Sequence, residues 1–437
     1  MLKRKILDAL AEWKKSANKR ALLIEGARQV GKTFAVREFG RANYKNYIEI
    51  NFEKQIEERS AFDGNLDAST IIRKLSSMHY GPFEKGETLI FLDEIQSCPQ
   101  ARTALKFLVE DGRFDWIASG SLLGISYRQV SSYPVGYETK IQMYPLDFEE
   151  FLWAKNSNFD YIGEVYKSYT ELVPVDDFLH KKLMELYHEY LVVGGMPAAV
   201  WTYINNDDFG KTLQVQKDIL KSYRDDIALY ADDQKALVKK MFDAIPEQLN
   251  KKNKRFFFAD LEQGTKAKKY ENACMWMTEA GIAYNCYNVG ALELALTFNE
   301  KRNLYKLYMH DTGLLCAQGF SGIQSALLGG DIAINQGAIT ENAVAAALAK
   351  RGIPLYYFDK KSRMELDFVF AKDNALTVIE VKSGKEYKKH AALDAAPQEC
   401  QNKTIAQTLR KIVLCKHNVE RGENGIIYLP LYMAMLF

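Results

Sequence analysis

The densest chemistry in this sequence lies between Gly26 and Thr33, where GARQVGKT reads G-x-x-x-x-G-K-T. Two glycines at that spacing let the backbone curl so that successive N–H groups face one point. The lysine and threonine that follow add an ammonium and a hydroxyl, a set suited to a polyphosphate and a hard cation. The run before it, ALLIE (21–25), is short and apolar, and the run after it, FAVREFGRA, has helical spacing. Strand, glycine-rich loop and helix are expected in the order that a phosphate-binding loop requires.

The ligands expected are ATP or ADP with Mg²⁺. Gly26, Ala27, Arg28, Gln29, Val30, Gly31, Lys32, Thr33 and Phe34 form the cradle, with Lys32 on the β- and γ-phosphates and Thr33 on the cation. ETLIFLDEIQ (87–96) is an apolar strand that ends in two acids. Asp93 is placed to hold the magnesium and Glu94 to polarise the attacking water as general base. A third apolar strand, FDWIASGSLLG, offers Ser119 or Ser121 as a sensor between those acids and the γ-phosphate. Arg113 is a surface residue or, in a homo-oligomer, an arginine finger for a neighbouring subunit.

A second constellation lies near the C-terminus. QGAITENAVAAALAKRG predicts an amphipathic helix carrying Glu341, and ELDFVF and LTVIEVKSG predict a hairpin turning at 372–374. Asp367, Glu380 and Lys382 then share one small sheet with Glu341 nearby. Carboxylates grouped in this way bind hard divalent cations, and a lysine beside them can assist attack on a phosphodiester. Glu341, Asp367 and Glu380 are the expected ligands, and Asp367, Glu380 and Lys382 the expected catalytic groups. Alternating charge on an exposed strand would also produce E-V-K.

These motifs need elements to position them. Length predicts two to four domains, and the formal net charge of +2 makes no whole-protein case for nucleic acid. The first twenty residues read as an amphipathic basic helix without an apolar signal core, and no window is apolar enough to span a bilayer. The six cysteines form no C-x-x-C pair, which predicts buried thiols in a reduced cytoplasm and no membrane partner. Residues 148–230 have helical spacing, broken at Gly194 and Gly195. Residues 231–300 have the layout of a winged helix, with Lys251, Lys252, Lys254, Arg255, Lys266, Lys268 and Lys269 as a nucleic-acid surface, DNA before RNA. A solvated lysine face is the plainer reading of the same run.

The P-loop, the LDEIQ strand, the ASGS strand, YPLDFEEFL (144–152) and GGMP (194–197), in this order, resemble the prokaryotic AAA-type ATPases that carry a C-terminal DUF4143 region. The likeness covers nearly the whole chain. It implies an α/β fold: a P-loop parallel sheet (1–147), a helical lid (148–230), the winged-helix-like segment (231–300) and a restriction-endonuclease-like α/β domain (301–437) of the PD-(D/E)xK type. LYKLYMHDTGLL (304–315) resembles the opening of the DUF4143 region, with Asp311 read as a helix cap. One departure is PVGYETK, where many relatives have Gly-Arg before the YPL run. The function implied is an ATPase that couples nucleotide state to nucleic-acid binding or processing. Its rival is an ATP-controlled binding module whose C-terminal domain is catalytically silent.

Overall fold

The structure is a computed structural model that describes residues 2–121, 134, 136–155, 159–231, 234–256, 267–319, 336–360, 364–384 and 386–437. The chain divides into two compact units: residues 1–144 with 279–281, and residues 145–278 with 282–437.

Unit 1 is built around two apolar hexapeptides, ALLIEG (21–26) and TLIFLD (88–93), whose side chains are covered on both faces, the pattern of central strands in a parallel sheet flanked by helices. Its strands are β1 (Ala21–Gly26), β2 (Asn46–Asn51), β3 (Thr88–Asp93), β4 (Asp115–Ser121) and β5 (Glu138–Gln142), in the order β2-β3-β4-β1-β5. Each of the four pairings between neighbouring strands is parallel. Helices α1 (Ile6–Lys15), α2 (Lys32–Asn43), α3 (Ala68–Ser77) and α4 (Pro99–Asp111) accompany it. The first of these buries Ile6, Leu10 and Trp13, as its amphipathic spacing predicts. Register brings the functional ends level, with Asn51 beside Asp93 and Gly26 beside Ser121. The sheet's C-terminal edge is where open α/β folds bind ligands.

In unit 2 the expected lid is helical: α5 (Phe148–Ala154), α6 (Tyr161–Glu171), α7 (Asp177–Val193), α8 (Pro197–Asn206) and α9 (Phe209–Tyr230). Asp147 and Glu150 form a capping box on α5. The winged-helix-like segment supplies α10 (Lys235–Asn250), α11 (Ala267–Glu279) and β6 (Ala283–Val289); residues 257–266, with Lys266, lie outside the described residues. Strand β6 belongs to an eight-stranded mixed sheet, where it pairs antiparallel with β7 (Glu300–Met309) and parallel with β8 (Tyr356–Asp359). After β7 come α12 (Thr312–Gly319) and α13 (Gln336–Lys350). The sheet continues through β9 (Glu365–Lys372), β10 (Ala375–Val381), β11 (Arg410–Cys415), β12 (Glu420–Arg421) and β13 (Ile426–Pro430), in the order β12-β13-β11-β10-β9-β8-β6-β7. The β9–β10 hairpin forms as expected, with Asp373 and Asn374 at φ of 52° and 57°.

Two expectations change. Helix α13 is not amphipathic: residues 338–346 are all buried, because its small alanines let neighbours close on every side. Of the six cysteines five are buried, while Cys400 is half-buried. Among the described residues no helix is long and apolar enough to cross a membrane.

The GGMP run ends α7 and turns the chain into α8. Gly194 sits at φ 72°, and a Cβ there would lie 2.2 Å from Oδ1 of Asp311. At Gly195 a Cβ would lie 1.9 Å from the Leu146 carbonyl oxygen. The N–H of Gly195 donates to Oδ2 of Asp311 at 2.6 Å, and that of Leu314 donates to Oδ1 at 2.9 Å. Asp311 therefore caps α12, as read from the sequence, and also locks the glycine turn.

Replacing Asp311 by alanine leaves two buried N–H groups without their acceptor, a cost of about 1–3 kcal/mol each. Urea denaturation should show a lower midpoint for Asp311→Ala, with Asp311→Asn between it and wild type. An unchanged midpoint would show that the carboxylate does not hold the turn.

Candidate nucleotide site

The loop expected to hold phosphates is assembled as its residue types require. Gly31 is left-handed at φ 95° and opens α2 without a side-chain cap, which leaves first-turn N–H groups for an anion. Gln29 is also left-handed, at φ 65°. Gly26 meets a second constraint, since a Cβ there would lie 2.3 Å from the Met143 carbonyl oxygen. Ala27 and Val30 are buried; the Val30 carbonyl accepts from Arg4 at 2.9 Å. Arg28 lies 3.4 Å from Glu53, and Phe34 is exposed on the first turn of α2.

Lys32 is buried, with Nζ donating to the carbonyls of Gly26 at 3.0 Å and Ala27 at 2.9 Å. Burial lowers its pKa to about 8, against the opposing pull of Glu94 and Asp93. Its ammonium is thus held by two loop carbonyls.

Asp93 is the meeting point of the site. Oδ2 accepts from the Thr33 hydroxyl at 2.9 Å and from Nδ2 of Asn51 at 2.8 Å. Oδ1 accepts from the Ser119 hydroxyl and from the Glu94 N–H, the latter at 3.1 Å. The structure therefore brings Lys32, Thr33, Asp93, Glu94 and Ser119 together; the side chain of Ser121 lies outside the described residues. Thr33 and Asp93 present hard oxygens at the mouth of the loop, a donor set that fits Mg²⁺.

Glu94 adopts φ 53°, a conformation uncommon outside glycine. Burial raises its pKa, although Gln96 donates a hydrogen bond to the carboxylate. Asn51 and Gln96 were not singled out from the sequence. Asn51 ends the IEIN strand, and only the β2–β3 pairing shows that it faces Asp93. Gln96 lies two residues after Glu94, within reach once Glu94 turns left-handed. Arg113 is held by Asp111 at 2.8 Å and Ser69 at 3.2 Å.

The C-terminal constellation also converges. The β9–β10 register pairs Phe368 with Ile379, which sets Asp367 and Glu380 opposite each other one step further on. The N–H of Val381 donates to Oδ2 of Asp367 at 2.8 Å, and Nζ of Lys382 lies 2.5 Å from Oε1 of Glu380. Among the described residues Oε2 of Glu380 is buried with no hydrogen-bond partner. Glu341 is buried on α13.

A residue absent from the sequence reading lies among them. Lys306 of β7 is fully buried, its Nζ 3.1 Å from Glu341, 2.8 Å from Glu365 and 3.8 Å from Asp367. Lys254 pairs with the other Glu341 oxygen, and the Tyr308 hydroxyl donates to Glu341 as well. Burial raises the Glu341 pKa, but the two ammoniums outweigh it and bring it down to about 2. Burial, then the Glu341 charge, pushes Asp367 up to about 7. The signal was a lone lysine inside LYKLYM, since a lysine in an apolar strand is covered only when paired. Among the described residues no group of three or more His, Cys, Asp or Glu side chains is arranged to hold a metal ion.

Comparison with known proteins follows this division. Residues 18–152 match the family model of an AAA domain, residues 184–326 that of a domain of unknown function, DUF8612, and residues 336–433 that of DUF4143. GGMP and LYKLYMHDTGLL fall within the DUF8612 match, not at the opening of the DUF4143 one. An uncharacterized protein of Methanocaldococcus jannaschii is 27% identical over 226 residues, 52% of this chain and 44% of that protein. The chain thus spans under half the length of this curated relative. The Walker-type ATPase PABY2304 of Pyrococcus abyssi is similar with a TM-score of 0.45 and 15% identity, over 73% of this chain and 96% of that one. The Aeropyrum pernix ORC1 protein, solved in complex with DNA, has a TM-score of 0.24 and 10% identity, over 75% of this chain and 91% of that one. The five-stranded parallel sheet, its glycine-rich loop and the family match together make the first unit an AAA-type P-loop domain.

Proposed function

We propose that this protein hydrolyses ATP with magnesium, and that unit 2 responds to the nucleotide state. The observation that carries the reading is the convergence on Asp93 of Thr33, Asn51 and Ser119, beside Lys32 in a loop with an uncapped helix start. Thr33 and Asp93 would hold Mg²⁺, which supplies charge neutralisation at the phosphates. Lys32 leaves its carbonyl partners for the β- and γ-phosphates, a better match for an ammonium. Glu94, whose pKa burial raises, accepts the proton of the attacking water. The segment that follows β5 is bonded at both ends. The Met143 N–H donates to the Glu25 carbonyl in unit 1 at 2.7 Å, and in unit 2 the Leu146 N–H donates to Gly195 at 2.7 Å.

A nucleic-acid partner, DNA before RNA, has support from fewer charges than the sequence counts. Lys251 is paired with Glu247 and Lys254 with Glu341. Lys252 remains exposed on this run, and the side chains of Lys268 and Lys269 lie outside the described residues. Filter retention of single- and double-stranded DNA and RNA by wild type and by a Lys266, Lys268, Lys269 triple alanine variant decides it. Loss of retention with a shallower salt slope supports the partner, and no retention by wild type at low salt removes it.

Glu94→Gln should keep nucleotide binding while phosphate release falls about 10²–10⁴-fold, the contribution of a positioned general base. Turnover at the wild-type rate would sink that assignment. Lys32→Ala should abolish turnover. With Lys32 at a pKa of about 8, ATP affinity measured without divalent metal should weaken about tenfold between pH 7 and pH 9. The sign follows from loss of the ammonium as pH rises, and a flat profile for a fluorescent ATP analogue would contradict it.

A further inference from the structure

We infer that Lys306 is a built-in cation: its ammonium takes the place that a divalent metal would occupy among the C-terminal carboxylates, and unit 2 performs no metal-dependent cleavage of nucleic acid. Three carboxylates from two elements, Glu341 of α13 with Glu365 and Asp367 of β9, converge on one Nζ at 2.8–3.8 Å. That is the arrangement of oxygens around a cation, with an ammonium at its centre.

The remaining oxygens are also engaged. The second oxygen of Glu341 is on Lys254, Oδ2 of Asp367 accepts the Val381 N–H, and Oε1 of Glu380 is on Lys382. Among the described residues this leaves Oε2 of Glu380 without a donor and Oδ1 of Asp367 with only the Lys306 ammonium at 3.8 Å. A hard divalent ion takes about six oxygen ligands, and two such oxygens do not make a site. In charge, four carboxylates (Glu341, Glu365, Asp367, Glu380) face three ammoniums (Lys254, Lys306, Lys382), which leaves one negative charge uncompensated, too little for a divalent ion. A doubly charged ion beside a fixed ammonium meets repulsion in a medium that screens it poorly. Lys306 cannot swing away to admit the ion, because it is fully covered and would strand its charge. The residues present therefore do not fit the metal that the nuclease-like resemblance implies.

The test uses the full chain without nucleotide. Mn²⁺ is titrated into wild type and Asp367→Asn and free Mn²⁺ is read by electron paramagnetic resonance, while both proteins are incubated with single- and double-stranded DNA and RNA in Mg²⁺ and in Mn²⁺. The expected result is the same Mn²⁺ uptake by both proteins and no cutting by either. In parallel, Lys306→Ala opens the position to a cation, so Mn²⁺ should raise its melting temperature by several degrees while leaving that of wild type in place. Saturable Mn²⁺ uptake by wild type that Asp367→Asn removes, or Mn²⁺-dependent cutting lost in the same variant, overturns the inference. So does a Lys306→Ala protein that melts with wild type and ignores Mn²⁺. Should that variant fail to fold with and without Mn²⁺, the wild-type titration and cutting assays decide alone.

Discussion

The nucleotide site depends on one buried carboxylate. Asp93 ends β3, and the groups that reach it come from the helix after β1, from the end of β2 and from β4. Those donors are scattered over almost ninety residues of sequence, and the strand order β2-β3-β4-β1-β5 is what makes them neighbours. An isolated buried carboxylate would be costly, so the sheet edge is folded only when hydroxyl and amide donors are in place. Stability of the edge and readiness for a nucleotide thus come from the same bonds.

How much of this could be read from residues alone varies with sequence distance. The phosphate loop is eight consecutive residues whose spacing carries its own geometry, and it formed as read. The β9–β10 hairpin was equally legible, because alternation and a Lys-Asp-Asn turn are local signals. Asn51 was not, since nothing in IEIN distinguishes it until β2 is laid against β3. Lys306 is the sharper case: β7 and β9 lie at different places in an eight-stranded sheet, and no pattern within LYKLYM states which carboxylates will surround it. Alanine-rich α13 misled in the other direction, because small side chains at helical spacing fit an amphipathic surface and a fully covered helix equally well.

The glycine pair at 194–195 shows why a recurring motif need not be chemical. Its positions are fixed by close approach, with Asp311 against Gly194 and the Leu146 carbonyl against Gly195. The same Leu146 carbonyl accepts from the Tyr190 hydroxyl and from Lys350 of α13, each at 2.9 Å. The backbone that enters unit 2 is therefore tied to the helix that carries Glu341.

The two carboxylate centres of this chain differ in the charge of their donors. Asp93 is surrounded by neutral groups, a threonine and a serine hydroxyl, an asparagine amide and a backbone N–H. Neutral donors satisfy lone pairs and leave the negative charge in force, so the site still attracts a cation. Glu341 instead accepts from two ammoniums together with a tyrosine hydroxyl. Ammoniums satisfy the same lone pairs and cancel the charge as well. Two sites rich in acidic oxygen, alike on a sequence line, are thereby different in charge: one keeps its negative charge, as the proposed ATP and magnesium require, and the other is paired with its own lysines.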